Sequence, residues 1–201
     1  MAILHMMKLD MDIFQINGTS LKPTKGRLLI AEPILPDVIF SRSVVLLVDD
    51  ANNKHMGFIL NKTSGITLGQ VLPEFENSDH KVNLGGPVDT DKLFYLHTYG
   101  DIISGAKQVS DNLWFGGDFD TMKEMLRANV LSPEKILFFL GYSGWIEGQL
   151  KTELDEGAWL VANINPDFVF TEDESKWSRS LGFVDERYQI WRNFPEDPEL
   201  N

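Results

Sequence analysis

The chain has no cysteine among its 201 residues, which excludes disulfides, thiolate metal sites and cysteine nucleophiles. A protein without cysteine suits a reducing compartment, and we expect a cytoplasmic location. Long apolar runs are also missing, since no stretch approaches the roughly 20 residues that a membrane-spanning helix needs. The N-terminus lacks the basic and apolar regions of a secretory signal. The sequence therefore predicts a soluble protein without a membrane partner.

Cationic residues are scarce. Eighteen Lys and Arg stand against thirty Asp and Glu, which gives a formal net charge of -12. An acidic surface repels phosphate backbones, so the charge argues against nucleic acid as a partner. The four histidines (His5, His55, His80 and His97) have no metal-ligand spacing, and no Walker A, GxGxxG, GxSxG or HExxH pattern is present. The sequence predicts no metal and no cofactor.

The order of short apolar runs favours an α+β fold, because strands outnumber helices and do not alternate strictly with them. We expect an irregular or short helical extension over residues 1–25 and one domain over residues 26–201. The strongest strand is Ser43–Val48, which is apolar enough to be covered on both faces. The other predicted strands are Leu28–Ala31, Met56–Leu60, Val82–Leu84, Leu93–His97, Leu113–Phe115, Ile136–Leu140 and Ala158–Val161. The predicted helices are Thr67–Leu72, Phe119–Asn129, Gly148–Leu154 and Ser175–Leu181.

Two glycine-rich segments mark where a site is expected. Gly141–Leu150 follows the apolar run Ile136–Leu140 and is typical of a strand-to-helix turn, and Gly85-Gly86-Pro87 forms a second turn. We hypothesise that the two turns meet and leave main-chain N–H groups open in a shallow cleft. Such donors hold a carboxylate, a phosphate or a peptide carbonyl. The candidate binding residues are Arg42, Asn61, Gly85, Gly86, Pro87, His97, Gly141, Tyr142, Ser143, Gly144, Trp145 and Gln149.

Two of these residues also allow an enzymatic interpretation. Ser143 resembles a nucleophile elbow, but Trp145 stands where the motif needs its second glycine, which favours a turn serine that binds backbone. His97 closes a predicted strand and is either a satisfied structural histidine or a general base, with the turn amides as an oxyanion site. We expect no catalytic residue, and we keep the His97 base as an alternative.

The remaining polar candidates have ordinary structural interpretations as well. Arg42 at a strand entrance is expected to hold a carboxylate or a carbonyl group. Asn61 follows a strand and can satisfy turn backbone. Gln149 shares a helix face with Glu153 at four-residue spacing, which is typical of a polar stripe over a cleft or of a solvated helix face.

Several sequence blocks occur in the order found in one family. These blocks are Gly26–Pro33, Phe40–Val45, Met56–Lys62, Gly85–Val88, His97 and Gly141–Leu150. Together they resemble the YqgE/AlgH family of bacterial proteins. The resemblance implies an α+β fold with a bifurcated mixed sheet, a small barrel-like part and surrounding helices. It implies no established biochemical activity, and one branch of the family is labelled a transcriptional regulator on the basis of phenotype.

The chain departs from the family pattern at a few positions. Lys62 stands where arginine is common, and Ser143 stands where alanine is common, which argues against a nucleophilic serine. We expect a binding or regulatory module whose partner is an unknown protein or a small anionic ligand. The alternatives are a transcriptional regulator that acts through DNA or a partner protein, and a small-molecule enzyme with His97 as its general base.

Overall fold

The computed structural model describes residues 20–171, 173 and 175–195. Within these residues, ten strands outnumber five short α-helices, and the predicted α+β class is confirmed. Most of the expected N-terminal extension lies outside the described residues. The strands are β1 (Arg27–Ala31), β2 (Val44–Asp49), β3 (His55–Ile59), β4 (Thr63–Thr67), β5 (Lys81–Leu84), β6 (Val88–His97), β7 (Lys107–Ser110), β8 (Leu113–Phe115), β9 (Ile136–Trp145) and β10 (Trp159–Asn163).

Eight of the described strands pair in the order β10-β1-β2-β3-β9-β6-β8-β7, and β4 and β5 form a branch on β9. β2 is covered on both faces, as its apolar run predicts. Because side chains alternate along a strand, Val44 and Leu46 pack into one core while Val45 and Leu47 pack into another on the opposite face. The sheet thus has apolar cores on its two sides.

The branch in the sheet is centred on Gly141. On one edge of β9, β5 runs parallel beside Phe138–Leu140, and β3 runs antiparallel beside Ser143–Trp145. β6 lies along the opposite edge. Gly141 has φ 68 and bends β9 between these two partners. The predicted end of the strand at Leu140 was therefore wrong, because a glycine of positive φ can bend a strand without ending it.

The helices surround the sheet. The last described segment, Glu186–Asn193, is a 3-10 helix. No helix in the described part of the chain combines the length and apolar character required to cross a bilayer. The α-helices are α1 (Leu68–Val71), α2 (Phe119–Arg127), α3 (Gln149–Asp155), α4 (Pro166–Phe170) and α5 (Lys176–Ser180).

The predicted strands and helices are all present, with shifted ends. Asp118 caps α2, since its carboxylate accepts a hydrogen bond from the Thr121 amide at 2.7 Å. Two strands and one α-helix of the described residues were missed, namely β4, β7 and α4. β4 carries Gly65 and several hydroxyl residues, and these do not produce the apolar alternation that marks a half-buried strand.

Candidate functional site

The two glycine segments meet where the chain passes from β5, on one edge of β9, to β6 on the other. We call Gly85, Gly86, Gly141 and Ser143 the glycine junction. A Cβ atom on Gly85 would lie 2.1 Å from the Gly141 carbonyl oxygen, and one on Gly86 would lie 2.4 Å from the Ser143 nitrogen. The two backbones approach this closely because Gly85 and Gly86 carry no side chain.

The junction leaves no cleft between the two segments. The Gly85 amide donates to the Leu140 carbonyl at 2.8 Å, and the Gly85 carbonyl accepts from the Ile59 amide at 3.0 Å. Ser143 is fully buried, and its hydroxyl donates to the same Gly85 carbonyl at 3.0 Å. The expected shallow cleft is therefore wrong in its geometry, because backbone atoms fill the space. Ser143 binds backbone, in line with the ordinary interpretation.

The rim of the junction carries the other candidates from this region. Pro87 and Gly144 are exposed, whereas Gly86 and Gly141 are buried. Tyr142 is half-buried, and its ring contacts Phe94 edge to face with a centroid distance of 5.6 Å. The rim is thus a surface of exposed backbone and one packed aromatic ring.

His97 lies away from solvent, with none of its surface exposed. Its Nε2 is 3.0 Å from the Gly116 carbonyl oxygen, and its Nδ1 accepts from the Tyr99 amide at 3.2 Å. A carbonyl can only accept, so Nε2 carries the proton and the ring is neutral. Burial lowers the pKa of His97, although the hydrogen bond to Gly116 acts in the opposite direction. This geometry contradicts the general-base alternative, because neither nitrogen is open to a substrate.

The buried Trp145 and the exposed Gln149 belong to one hydrogen-bonded cluster centred on Glu153. One carboxylate oxygen of Glu153 accepts from the indole N–H of Trp145 and of Trp159, each at 2.8 Å. The other oxygen accepts from the Gln149 amide at 2.9 Å. The ring of Phe40 packs on both indoles, with centroid distances of 6.1 and 5.5 Å. The cluster therefore anchors the loop that contains Phe40.

That loop borders a large open cavity of about 1060 Å³, which we call the basic groove. It lies between the loop from β1 to β2, the corner between β3 and β4, and the start of α5. Arg42 and Asn61 line it, whereas the glycine junction and His97 do not. The lining residues are Pro33, Ile34, Leu35, Pro36, Asp37, Val38, Ser41, Arg42, Asn61, Lys62, Ser175, Trp177, Ser178 and Arg192.

Arg42 and Asn61 build the floor of the groove. One Arg42 nitrogen donates to the Phe194 carbonyl at 2.5 Å and to the Pro195 carbonyl at 2.8 Å. The guanidinium also lies over the Trp177 ring, 4.6 Å from its centroid. The Asn61 amide donates to the Arg42 carbonyl at 2.8 Å, and its oxygen accepts from the Val44 amide at 2.9 Å. Both side chains therefore hold backbone in place.

The charged side chains of the groove are three cations and one carboxylate. Lys62 donates to the Val38 carbonyl at 3.0 Å, and burial lowers the pKa of Lys62, with the Asp37 charge acting against this. Asp37 accepts from the Ile39 and Phe40 amides at 2.8 and 2.9 Å, so amides of its own loop offset its charge. Arg192 is exposed and uses its Nε for the Ser178 carbonyl at 2.8 Å.

Comparisons with known proteins give the family. The family model described as DUF179, AlgH-like, matches residues 28–189. This chain belongs to the AlgH-like family. The UPF0301 protein BF2109 of Bacteroides fragilis is 40% identical over 197 residues, which cover 97% of this chain and 100% of that protein. A UPF0301 protein of Parabacteroides distasonis is 40% identical over 94% of this chain and 98% of its own length.

Two solved structures share the fold with this AlgH-like chain. The solution structure of the AlgH protein from Pseudomonas aeruginosa has a TM-score of 0.68 and 30% identity, covering 83% of this chain and 94% of that protein. The crystal structure of protein DIP2367 from Corynebacterium diphtheriae has a TM-score of 0.74 and 20% identity, covering 88% of this chain and 95% of that protein. Both solved structures thus share the overall fold of this chain, in which the expected bifurcated sheet is present.

Sequence reasoning missed part of the basic groove of this AlgH-like chain. Lys62 is a departure from the family pattern but was not a predicted site residue, and neither Trp177 nor Arg192 was among the candidate binding residues. The segment between Pro33 and Pro36 gave a weak signal of a site. Its two prolines indicate a loop, and Ile34 is an apolar residue that lies outside every predicted strand. No group of three or more histidine or acidic residues is arranged to hold a metal ion within the described residues.

Proposed function

We propose that this AlgH-like chain is a binding module and that the basic groove is its site, where it takes a carboxylate or phosphate group of a protein or small ligand. A cytoplasmic location is part of the proposal, supported by the absence of cysteine. A regulator that acts by holding a partner protein would use the same groove.

The observation that carries the proposal is a local reversal of charge. The chain has a formal net charge of -12, yet the groove presents three cations and one carboxylate. The carboxylate of Asp37 is engaged by two amides of its own loop, and the three cations outnumber this one carboxylate. An anion approaching this surface is repelled over most of it and attracted at the groove.

The backbone of Arg42 gives a second, independent support. This residue has φ 50, in the left-handed region that non-glycine residues rarely adopt. Asn61 holds the conformation, since it binds the Arg42 carbonyl and the Val44 amide on either side of the bend. Strained residues that neighbouring groups hold in place collect at ligand sites. The strain therefore supports a binding role for the groove floor.

The proposal is tested by titrating the ¹⁵N-labelled full chain with sodium succinate and, separately, with inorganic phosphate at low ionic strength. We expect the amide signals of Val38, Lys62 and Ser178 to move with both anions. The affinity should be in the millimolar range, or about -4 kcal/mol, because the groove is open to water. Lys62→Gln and Arg192→Gln should each weaken binding by about threefold, as expected for an exposed ion pair.

The matched control is Lys54→Gln, which removes an exposed lysine that does not line the groove. Its affinity for both anions should equal that of the wild type. The proposal is wrong if the shifted signals belong to residues 85–88 and 141–144, or if the two groove variants bind both anions as tightly as the control does.

A further inference from the structure

We propose that the occupant of the basic groove is an acidic segment of a partner protein, in which carboxylates adjoin an apolar side chain. This inference rests on the proposed function, because it names the partner of the same site.

The cavity is large, and a second cavity lies beside it. Its volume of about 1060 Å³ is at the upper limit of small-molecule pockets, which are typically about 300–1,000 Å³. A second cavity of about 370 Å³ shares Asn61 with it. Compact metabolites are recognised by polar groups that converge on a mostly buried ligand. An open concavity of this size fits an extended chain segment better.

One wall of the groove offers apolar side chains to solvent. Val38 is 91% exposed and Ile34 is 47% exposed, and both line the cavity. Ile39, beside them on the loop, is 43% exposed. Pro33 and Pro36 fix backbone angles in the loop, and Phe40 anchors its end on two tryptophans. Exposed apolar side chains that cluster on a positioned loop are typical of a protein interaction surface.

The cations lie next to this apolar wall. Lys62 binds the carbonyl of Val38, so a positive charge and the exposed valine belong to one unit. Arg192 supplies another cation from the C-terminal part of the chain. A segment with acidic residues beside an apolar one would complement both features. A continuous nucleic-acid strand fits less well, since it would leave the groove and run along a surface with a net charge of -12.

The test uses fluorescein-labelled nonapeptides and the full chain at low salt, followed by fluorescence anisotropy. One peptide alternates aspartate and leucine, the second alternates aspartate and serine, and the third alternates lysine and leucine. We expect the first peptide to bind at least tenfold more tightly than the other two and to weaken as salt is added. Val38→Ser should weaken its binding by about tenfold, because the buried apolar area is lost.

Ile146→Ser is the matched control, since Ile146 is 69% exposed and does not line the groove. It should bind the aspartate-leucine peptide like the wild type. The melting temperatures of both serine variants should equal that of the wild type, so that weaker binding is not a consequence of unfolding.

The outcomes separate this inference from the proposed function. If succinate and phosphate bind at the groove but no peptide does, the anion site stands and the peptide partner is wrong. Equal binding of the aspartate-leucine and aspartate-serine peptides overturns the apolar half of the inference. If sedimentation shows a dimer that Lys62→Glu converts to monomers, the occupant is a second copy of this chain and the inference is again wrong. Failure of anions and peptides alike overturns both proposals.

Discussion

The glycine junction and the basic groove lie on either side of the corner between β3 and β4, and they use the chain in opposite ways. At the junction, Gly85 and Gly141 bring two backbones together without space, and the Gly85 carbonyl is held by Ile59. At the groove, a few residues further on, the side chains of Asn61 and Lys62 bind the backbone of the loop from β1 to β2 and line an open cavity. The same corner therefore separates a filled region from an open one.

The difference shows why a glycine-rich pattern is an ambiguous sign of a site. Glycine permits a close approach to a ligand, but it permits an equally close approach to another strand. At the junction the second case holds, and the donors are used within the fold. At the groove, side chains of several loops line an open cavity. The junction fixes the corner from which Asn61 and Lys62 reach the groove.

The largest expected effect is at the junction. Gly85→Ala places a Cβ atom 2.1 Å from the Gly141 carbonyl oxygen and 2.9 Å from the buried Phe58 ring, so the backbone of Gly141 would have to shift. We expect a loss of about 3 kcal/mol or more in the free energy of unfolding, measured by urea denaturation.

Gly65→Ala is the control, because nothing lies within 4 Å of its Cβ and only its φ of 77 opposes the change. It should cost about 1 kcal/mol. Equal losses would contradict the filled junction.

His97→Gln changes another buried residue. It should lower the free energy of unfolding by about 2 kcal/mol, since two buried hydrogen bonds to backbone are disturbed. The effect depends on pH. Burial lowers the pKa of His97 from its ordinary value of 6.5, so its contribution is fully present above pH 6.5 and is lost as the pH falls through the folded-state pKa.

Urea denaturation at pH 7.5 and pH 5 measures this dependence. The wild type should lose stability between the two values, and His97→Gln should lose less, because it has no imidazole to protonate. The same pH dependence in both proteins would show that the His97 ring is not held neutral by burial.

Glu153→Gln tests how the groove loop is anchored. The carboxylate accepts from two indoles, and a neutral amide oxygen accepts more weakly. We expect a loss of about 1 kcal/mol, together with a change in the tryptophan emission spectrum. Glu156→Gln, at the exposed end of the same helix, should stay within about 0.5 kcal/mol of the wild type. An unchanged spectrum for Glu153→Gln would mean that the two indoles do not depend on this carboxylate.

The smallest effect is expected at the start of α5, on the other wall of the groove. The Ser175 hydroxyl, the Arg179 guanidinium and the Ser175 amide lower the pKa of Asp173 from 3.8 to about 2. Its contribution is therefore present above about pH 4 and is lost as the pH falls towards 2. Asp173→Asn should lower the melting temperature slightly at pH 6 and not at pH 2. A difference that persists at pH 2 would contradict the role of the charge.

Much of the fold was predictable because it follows from local patterns. The apolar run of β2 predicted a strand covered on both faces, and the alternating assignment of Val44 and Val45 to opposite cores agrees with it. The meeting of the two glycine segments also followed from their composition. The bend at Gly141 within β9 was not predictable in this way, because a positive-φ glycine looks the same in sequence whether it ends a strand or bends one.

The candidate site was predictable only in part, for a reason of chain topology. Arg42 was singled out because it precedes an apolar run, and Asn61 because it follows one. Trp177 and Arg192 reach the groove from segments more than a hundred residues further along the chain. No periodicity or spacing connects residues so far apart, so the charge reversal is visible only once the tertiary structure is known.

The most direct test of the account is a comparison of amide-proton relaxation caused by an anionic and a neutral gadolinium chelate of similar size. The ratio of the two effects reports the local potential at each exposed amide without any assumption about the ligand. We predict the highest ratios at Val38, Lys62 and Ser178 and lower ones across the acidic remainder of the surface. Ratios at these three amides no higher than at Lys54 or Gly144 would contradict a binding site at the basic groove.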